Sequence, residues 1–84
     1  MAYRLRIEKK ASSHIEKLPK KIVQHVIAAL EELQEDPRRP GVKKLQGRDG
    51  FRYRVGDYRI LYLIDDYHHE VVVYTVLHRK DVYR

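Results

Sequence analysis

Cysteine is absent from the 84 residues, which rules out a disulfide scaffold, a thiolate metal site and a cysteine nucleophile. In so small a domain this fits a reducing cytosol better than secretion. The opening residues Met1-Ala2-Tyr3-Arg4-Leu5-Arg6 alternate in polarity and lack the apolar core of a signal peptide. No apolar run approaches the roughly 20 residues that span a bilayer. The expectation is a soluble, cytoplasmic protein with no membrane partner. Glycine is sparse as well. Gly41, Gly47, Gly50 and Gly56 stand apart, so there is no glycine-rich loop to cradle a phosphate. Neither an internal repeat nor a low-complexity segment occurs, and the length leaves room for a single domain over residues 1–84. Such a domain buries only roughly 60% of the surface its unfolded chain exposes.

Positive charge is what the chain has in excess. Eighteen Lys and Arg against twelve Asp and Glu give a net charge of +6, with a pI near 9.7. The excess is unevenly placed. Residues 1–36 carry seven basic against six acidic groups, and residues 37–84 carry eleven against six. A basic C-terminal half is the electrostatic footprint of nucleic-acid binding. A solubilising coat has the same composition, so composition alone does not decide between them.

Residues 3–7 alternate Tyr, Arg, Leu, Arg, Ile, the pattern of a half-buried strand. Ser12 or Ser13 is positioned to cap a short helix carrying His14, Ile15 and Leu18, which Pro19 ends, although Ala11 hints at an earlier start. From Lys20 to about Gln34, Ile22, Val23, Val26, Ile27, Leu30 and Leu33 recur at intervals of three and four, one apolar helical stripe. The acidic cluster Glu31, Glu32, Glu35 and Asp36 reads as a solvated face. Asp36-Pro37-Arg38-Arg39-Pro40-Gly41 stops the helix, Lys43 and Lys44 extend a basic loop, and Gly47-Arg48-Asp49-Gly50 makes a turn. Residues 51–55, 58–64 and 70–77 read as strands, the first two joined by Gly56-Asp57 as a two-residue hairpin. Val71-Val72-Val73 suits a strand buried on both faces, and residues 78–84 read as a polar tail. The order β-α-α-β-β-β predicts an α+β fold, with two helices packed on one face of a four-stranded, mainly antiparallel sheet.

The other face is left for arginines. Arg52 and Arg54 share a face by the period of two, opposite Phe51, Tyr53 and Val55. Pairing across Gly56-Asp57 sets Arg54 against Arg59. Opposed like charges destabilise a sheet, and a phosphate between them relieves the repulsion because arginine binds phosphate oxygens in bidentate fashion. Three solvated arginines on an exposed face are the alternative. His68 and His69 adjoin Asp65, Asp66 and Glu70, yet neighbouring strand residues point to opposite faces, which argues against a metal site there. The tail His78-Arg79-Lys80-Asp81-Val82-Tyr83-Arg84 adds proton-transfer groups. RNA is cleaved without metal when its 2′-hydroxyl attacks the adjacent phosphate, given a base, an acid and cations around the phosphorane. Arg59 and Arg79 suit the last role; Tyr83 and His78 suit proton transfer. A tyrosine base requires a pKa lowered by neighbouring cations.

Leu45-Gln46-Gly47, then Phe51-Arg52-Tyr53-Arg54-Val55-Gly56-Asp57-Tyr58-Arg59-Ile60-Leu61-Tyr62, then Val76-Leu77-His78-Arg79-Lys80-Asp81-Val82-Tyr83 resembles the RelE/ParE toxin superfamily, on its RelE side. The likeness covers essentially the whole chain. It implies a ribosome-dependent mRNA endoribonuclease toxin of a type II toxin–antitoxin system. Such a toxin binds the 30S A site, cuts the message there without metal or cofactor, and so inhibits translation. By position, Arg59 and Arg79 match the phosphate-stabilising arginines and Tyr83 the C-terminal tyrosine of proton transfer. His78 has counterparts in some relatives. Arg52 and Arg54 match basic strand positions that hold RNA, and Lys80 is a further RNA-binding candidate. Lys43 and Lys44, with Arg38 and Arg39, are candidates for RNA and ribosomal contacts, a solvated basic loop being the alternative. The implied partners are a RelB-like, acidic antitoxin, the ribosome with its mRNA, and operator DNA through the antitoxin complex alone. Three departures stand out: the segment before Tyr83 is short, the chain lacks a longer C-terminal helix, and no carboxylate sits where certain relatives use a glutamate base. The rival readings are a ParE-like toxin that binds DNA gyrase and a catalytically silent module acting as a co-repressor.

Overall fold

The computed structural model describes residues 2–82. In chain order they form β1 (Arg4–Ile7), α1 (Lys9–Glu16), α2 (Lys20–Glu35), β2 (Lys43–Lys44), β3 (Phe51–Val55), β4 (Tyr58–Asp65), β5 (Glu70–His78) and α3 (Arg79–Val82). One sheet contains the strands in the order β1-β5-β4-β3-β2. β1 runs parallel to β5, and the other pairs are antiparallel. The expected element order is present, with two additions. Lys43 and Lys44 pair with Arg52 and Phe51 as a fifth strand. They have no apolar alternation to announce it, because the pairing is a matter of backbone hydrogen bonds. The supposed polar tail continues β5 to His78 and then turns into the short α3.

The core lies between the helices and one face of the sheet. Val26, Ala29, Leu30 and Leu33 of α2 and Ala11 of α1 meet Ile60, Tyr62, Val71, Val73 and Val76. The helical stripe is rotated slightly from expectation: Ile27 is half exposed while Ala29 is buried. Ser12 and Ser13 are not caps. They lie within α1, which begins after Glu8 without a side-chain cap. Pro19 occupies the N-cap position of α2, where a missing N–H costs nothing. α1 is seated on β5 through His14, whose Nδ1 lies 3.0 Å from Thr75 Oγ1 and accepts the Val76 N–H at 3.4 Å.

Tyr62 fixes the middle of the sheet to the loop after α2. Its ring is fully buried and its hydroxyl donates to the Pro37 carbonyl at 2.6 Å. Burial pushes its pKa well above the ordinary tyrosine value, so it stays a neutral donor. Beside it the ladder slips: Leu61 faces Thr75 and Tyr62 faces Val73, leaving Tyr74 as an extra residue on β5. Such a bulge bends its strand and re-aims a side chain.

A polar corner ties β1 to the β4–β5 turn. Arg38 donates to both carboxylate oxygens of Asp66 at 3.2 and 2.8 Å, the Tyr3 hydroxyl donates to Asp66 at 2.8 Å, and the Tyr3 ring stacks on His69 at 3.9 Å. The hydrogen bonds from Arg38 and then Tyr3 hold the Asp66 carboxyl below its ordinary range. A group depressed in the folded state stabilises it above the unfolded pKa and stops doing so as pH falls through the folded one. Asp66→Asn is therefore expected to be less stable than the parent near neutral pH, with the difference shrinking as pH drops through the carboxylate range. Urea unfolding at a series of pH values measures this.

Gly50 supplies a second expectation. Its φ is +117°, and a Cβ there would sit 2.9 Å from the Tyr62 carbonyl oxygen. Gly47, at φ +74°, has open space around it. Gly50→Ala should cost about 2–4 kcal/mol and Gly47→Ala about 1 kcal/mol, from backbone strain alone. Equal losses in urea titration would show that the close approach of β4 does not constrain the turn.

Candidate nucleic-acid interface

The β3–β4 hairpin builds the site. Gly56 takes a positive φ of 58°, and the two-residue connection sets Val55 against Tyr58 and Arg54 against Arg59, as the spacing predicts. Phe51, Tyr53 and Val55 pack towards the core. Alternation therefore sends Arg52, Arg54 and Arg59 to the open face. The ladder arranges that face in two rows: Lys43, Arg52 and Leu61 in one, then Arg54, Arg59 and Leu77 in the next.

Between the rows is a cavity of about 180 Å³ lined by Gly41, Lys43, Arg52, Arg54 and Arg59. Four of its five lining residues are cationic and, among the described residues, no carboxylate lines it. The Gly56 carbonyl accepts from Arg54 Nε at 3.2 Å and from Arg59 Nη1 at 3.3 Å, and Arg59 Nη1 also donates to the Tyr58 carbonyl at 3.1 Å. Backbone dipoles thus hold two like-charged side chains side by side. They offset part of the repulsion and leave the remaining N–H groups for an anion. Directly opposed Cβ atoms in such a pair are about 5 Å apart, so one phosphate can meet donors from both strands.

Arg79, the first residue of α3, joins this turn. Its backbone N–H donates to the Asp57 carbonyl at 2.6 Å, and its guanidinium lies 3.7 Å from the Asp57 carboxylate. Both side chains are mostly exposed, so the ion pair is weak and exchangeable. His78 is placed differently. It pairs with Tyr58, its ring edge-on to that ring at 5.2 Å, in the row of Val55 and hence on the face opposite Arg54 and Arg59. Its Nδ1 accepts the Lys80 N–H at 3.3 Å at the start of α3. Lys80 itself is exposed. Tyr83 lies outside the described residues.

Other cations are engaged away from the cavity. Arg38 is bound to Asp66 and lies 5.9 Å from the Phe51 ring. Arg39 lies 3.6 Å from Glu32, over Tyr53. Phe51 and Tyr53 belong to the helix side of the sheet, so the strand separates this basic loop from the arginine rows. His68 bonds Asp65 at 2.8 Å while His69 stacks on Tyr3. Among the described residues no three metal-binding side chains converge.

A second, larger cavity of about 510 Å³ adjoins the first, lined by Lys43, Lys44, Leu45, Gln46, Arg48, Arg52 and Leu61. The Arg48 guanidinium sits 5.1 Å from the centre of the Tyr74 ring. From the sequence Arg48 reads only as a turn residue and Gln46 enters only through the family resemblance, while the bulge that positions Tyr74 leaves no periodic trace.

The family model described as ParE toxin of type II toxin–antitoxin systems matches residues 5–83. Toxin RelG of Mycobacterium tuberculosis is 40% identical, the match covering 100% of this chain and 99% of the relative. The chain belongs to the RelE/ParE superfamily of type II toxins. Toxin RelE of the same organism is 32% identical, over 98% of this chain and 87% of that toxin. Among solved structures, the RelBE2 toxin–antitoxin complex of M. tuberculosis contains a chain with TM-score 0.84 and 38% identity, covering 94% of this toxin and 100% of that chain. A double arginine-to-alanine mutant of Escherichia coli RelE in the free state superposes with TM-score 0.78 at 27% identity, over 99% of this toxin and 90% of that chain. The fold is therefore RelE-like, and the chain is a RelE-family toxin of a toxin–antitoxin system.

Because Arg54 and Arg59 are opposed, Arg54→Gln should stabilise the toxin by about 0.2–1 kcal/mol at low ionic strength. The gain should vanish near 1 M salt, where the Debye length is about 3 Å. Urea titrations at the two salt concentrations test it; an unchanged or lowered stability at low salt would mean that the carbonyl of Gly56 already cancels the repulsion.

Proposed function

We propose that this toxin is a ribosome-dependent endoribonuclease that cuts mRNA in the 30S A site and thereby inhibits translation. The observation that carries the reading is the pocket of Lys43, Arg52, Arg54 and Arg59, a rigid polyanion seat on a fold shared with RelE toxins. In the proposed reaction the RNA 2′-hydroxyl oxygen attacks the adjacent phosphorus, and the bond to the 5′-oxygen breaks. A 2′,3′-cyclic phosphate and a 5′-hydroxyl result. One proton leaves the 2′-oxygen and one reaches the departing 5′-oxygen, so no metal or cofactor is required. Arg59 and Arg79 carry the charge that builds on the phosphorane oxygens, with Arg79 exchanging Asp57 for phosphate. Arg52, Arg54, Lys43, Lys44 and Lys80 hold the backbone. Tyr83 is our assignment for proton transfer, next to these cations in sequence. His78, on the other face, supports this role through the start of α3.

The toxin's partner is proposed to be a cognate acidic antitoxin. Support comes from relatives solved as RelB–RelE complexes, from M. tuberculosis and from Pyrococcus horikoshii. Operator DNA would be reached through that complex alone. The proposed target is cytoplasmic; separately, no helix among the described residues is long and apolar enough to cross a membrane.

The ParE name of the matching family model favours a second reading, a toxin that binds DNA gyrase. Primer extension on messages after induction separates the two. Codon-linked cuts support the nuclease, and DNA breaks with intact messages support the gyrase reading. On programmed ribosomes, Arg59→Ala should lower the cleavage rate about 10²–10³-fold with an unchanged unfolding transition. Tyr83→Phe and Arg79→Ala should also be slow, and three fully active variants would sink the proposal. Binding of single-stranded RNA by the isolated toxin should weaken with a log–log salt slope of about −2 to −3, as for three or four neutralised phosphates. A flat salt response would remove the electrostatic basis.

A further inference from the structure

We propose that the larger groove beside the phosphate pocket is a nucleobase subsite, where the base of the nucleotide flanking the bound phosphate is stacked and read; this rests on the RNA-binding reading above. The two cavities share walls. Lys43 and Arg52 line both, so a nucleotide whose phosphate sits among Arg52, Arg54 and Arg59 continues directly into the groove. Its volume of about 510 Å³ is in the range of clefts that hold small organic ligands. The lining is not that of a second phosphate seat. Leu61, only 4% exposed, and Leu45 give it an apolar floor, which a phosphate would gain nothing from and a base would.

Arg48 supplies the stacking surface. Its guanidinium lies over the Tyr74 ring, a cation–π contact that holds the planar group in one place. Tyr74 is available for this because it is the extra residue of the β4–β5 bulge. Unstacked RNA bases stack on arginine planes and aromatic rings and are read along their edges. The edge groups are also selective. Lys43, Lys44, Arg48 and Arg52 donate only, and Gln46 alone of the polar lining side chains both donates and accepts. The groove therefore favours a base edge rich in acceptors, with Gln46 as the residue that tells one base from another.

The test uses the purified full chain and fluorescence anisotropy with 2′-O-methylated RNA hexamers, which cannot undergo 2′-attack. A hexamer with bases is compared with a base-free ribose-phosphate hexamer of the same charge. The wild-type toxin should favour the base-containing strand about tenfold. Arg48→Lys keeps the charge and loses the plane. It should bring the ratio close to one while leaving affinity for the base-free strand and the salt slope unchanged. Gln46→Ala should keep part of the ratio but lose discrimination among homopolymers. Arg59→Ala should weaken both strands alike, leaving the ratio at its wild-type value. A wild-type ratio of one, or Arg48→Lys retaining the tenfold preference, would overturn the subsite. Intact discrimination without cleavage of programmed ribosomes would support the subsite and strike the nuclease reading alone.

Discussion

A slip of one residue in the β3–β4 hairpin would turn Arg52, Arg54 and Arg59 into the space now filled by Phe51, Tyr53 and Ile60. The whole surface chemistry of the toxin depends on that register. Two features enforce it from opposite ends. At the turn, Gly56 adopts the positive φ of a tight connection. At mid-strand, Tyr62 is locked by its buried ring and its bond to Pro37. A residue that anchors the core thus also determines which way its neighbours on β4 point, and Arg59 is as well placed as Tyr62 is well buried.

The arginine rows show how a small domain meets a cost that function imposes. Four cations around one cavity repel one another, and an 84-residue chain has little stability to spare. The repulsion is confined rather than abolished. The Gly56 carbonyl lies between the two most directly opposed guanidinium groups, and the acidic residues are largely engaged elsewhere: Asp66 with Arg38, Glu32 with Arg39 and Tyr53. Asp57 meets Arg79 at the rim of the site. No carboxylate is among the described residues that line the cavity, so its lining carries a net positive charge.

Much of this was legible in the chain because periodicity records burial. The period of two in Phe51-Arg52-Tyr53-Arg54-Val55 and the glycine at position 56 gave the hairpin, its register and the face of its arginines. The stripe on α2 gave the helix within a residue or so. What stayed hidden was fixed by tertiary contact. The strand at Lys43 and Lys44 exists through backbone bonds to β3 and has no side-chain signature. Tyr74 reads as one more strand aromatic, since a bulge changes pairing without changing composition. Ser12 and Ser13 look like caps, yet burial of Ala11 starts the helix earlier. Arg38 and Arg39 read as free basic loop residues because Asp66 and Glu32 are distant in sequence. The face occupied by His78 required the pairing with Tyr58, which begins beyond the bulge.

The pairing of β1 with β5 has a consequence for how the toxin is made. The first strand emerges early, but its hydrogen-bonding partner, from Glu70 to Val73, follows only after α1, α2 and the other strands. β4 likewise gains its second neighbour only when β5 arrives. Long-range closure of this kind is the slow part of folding, and synthesis proceeds at about 5–20 residues per second. The nascent chain therefore has no finished sheet until β5 has been made. In this topology the strand that closes the sheet also completes the support behind the arginine face.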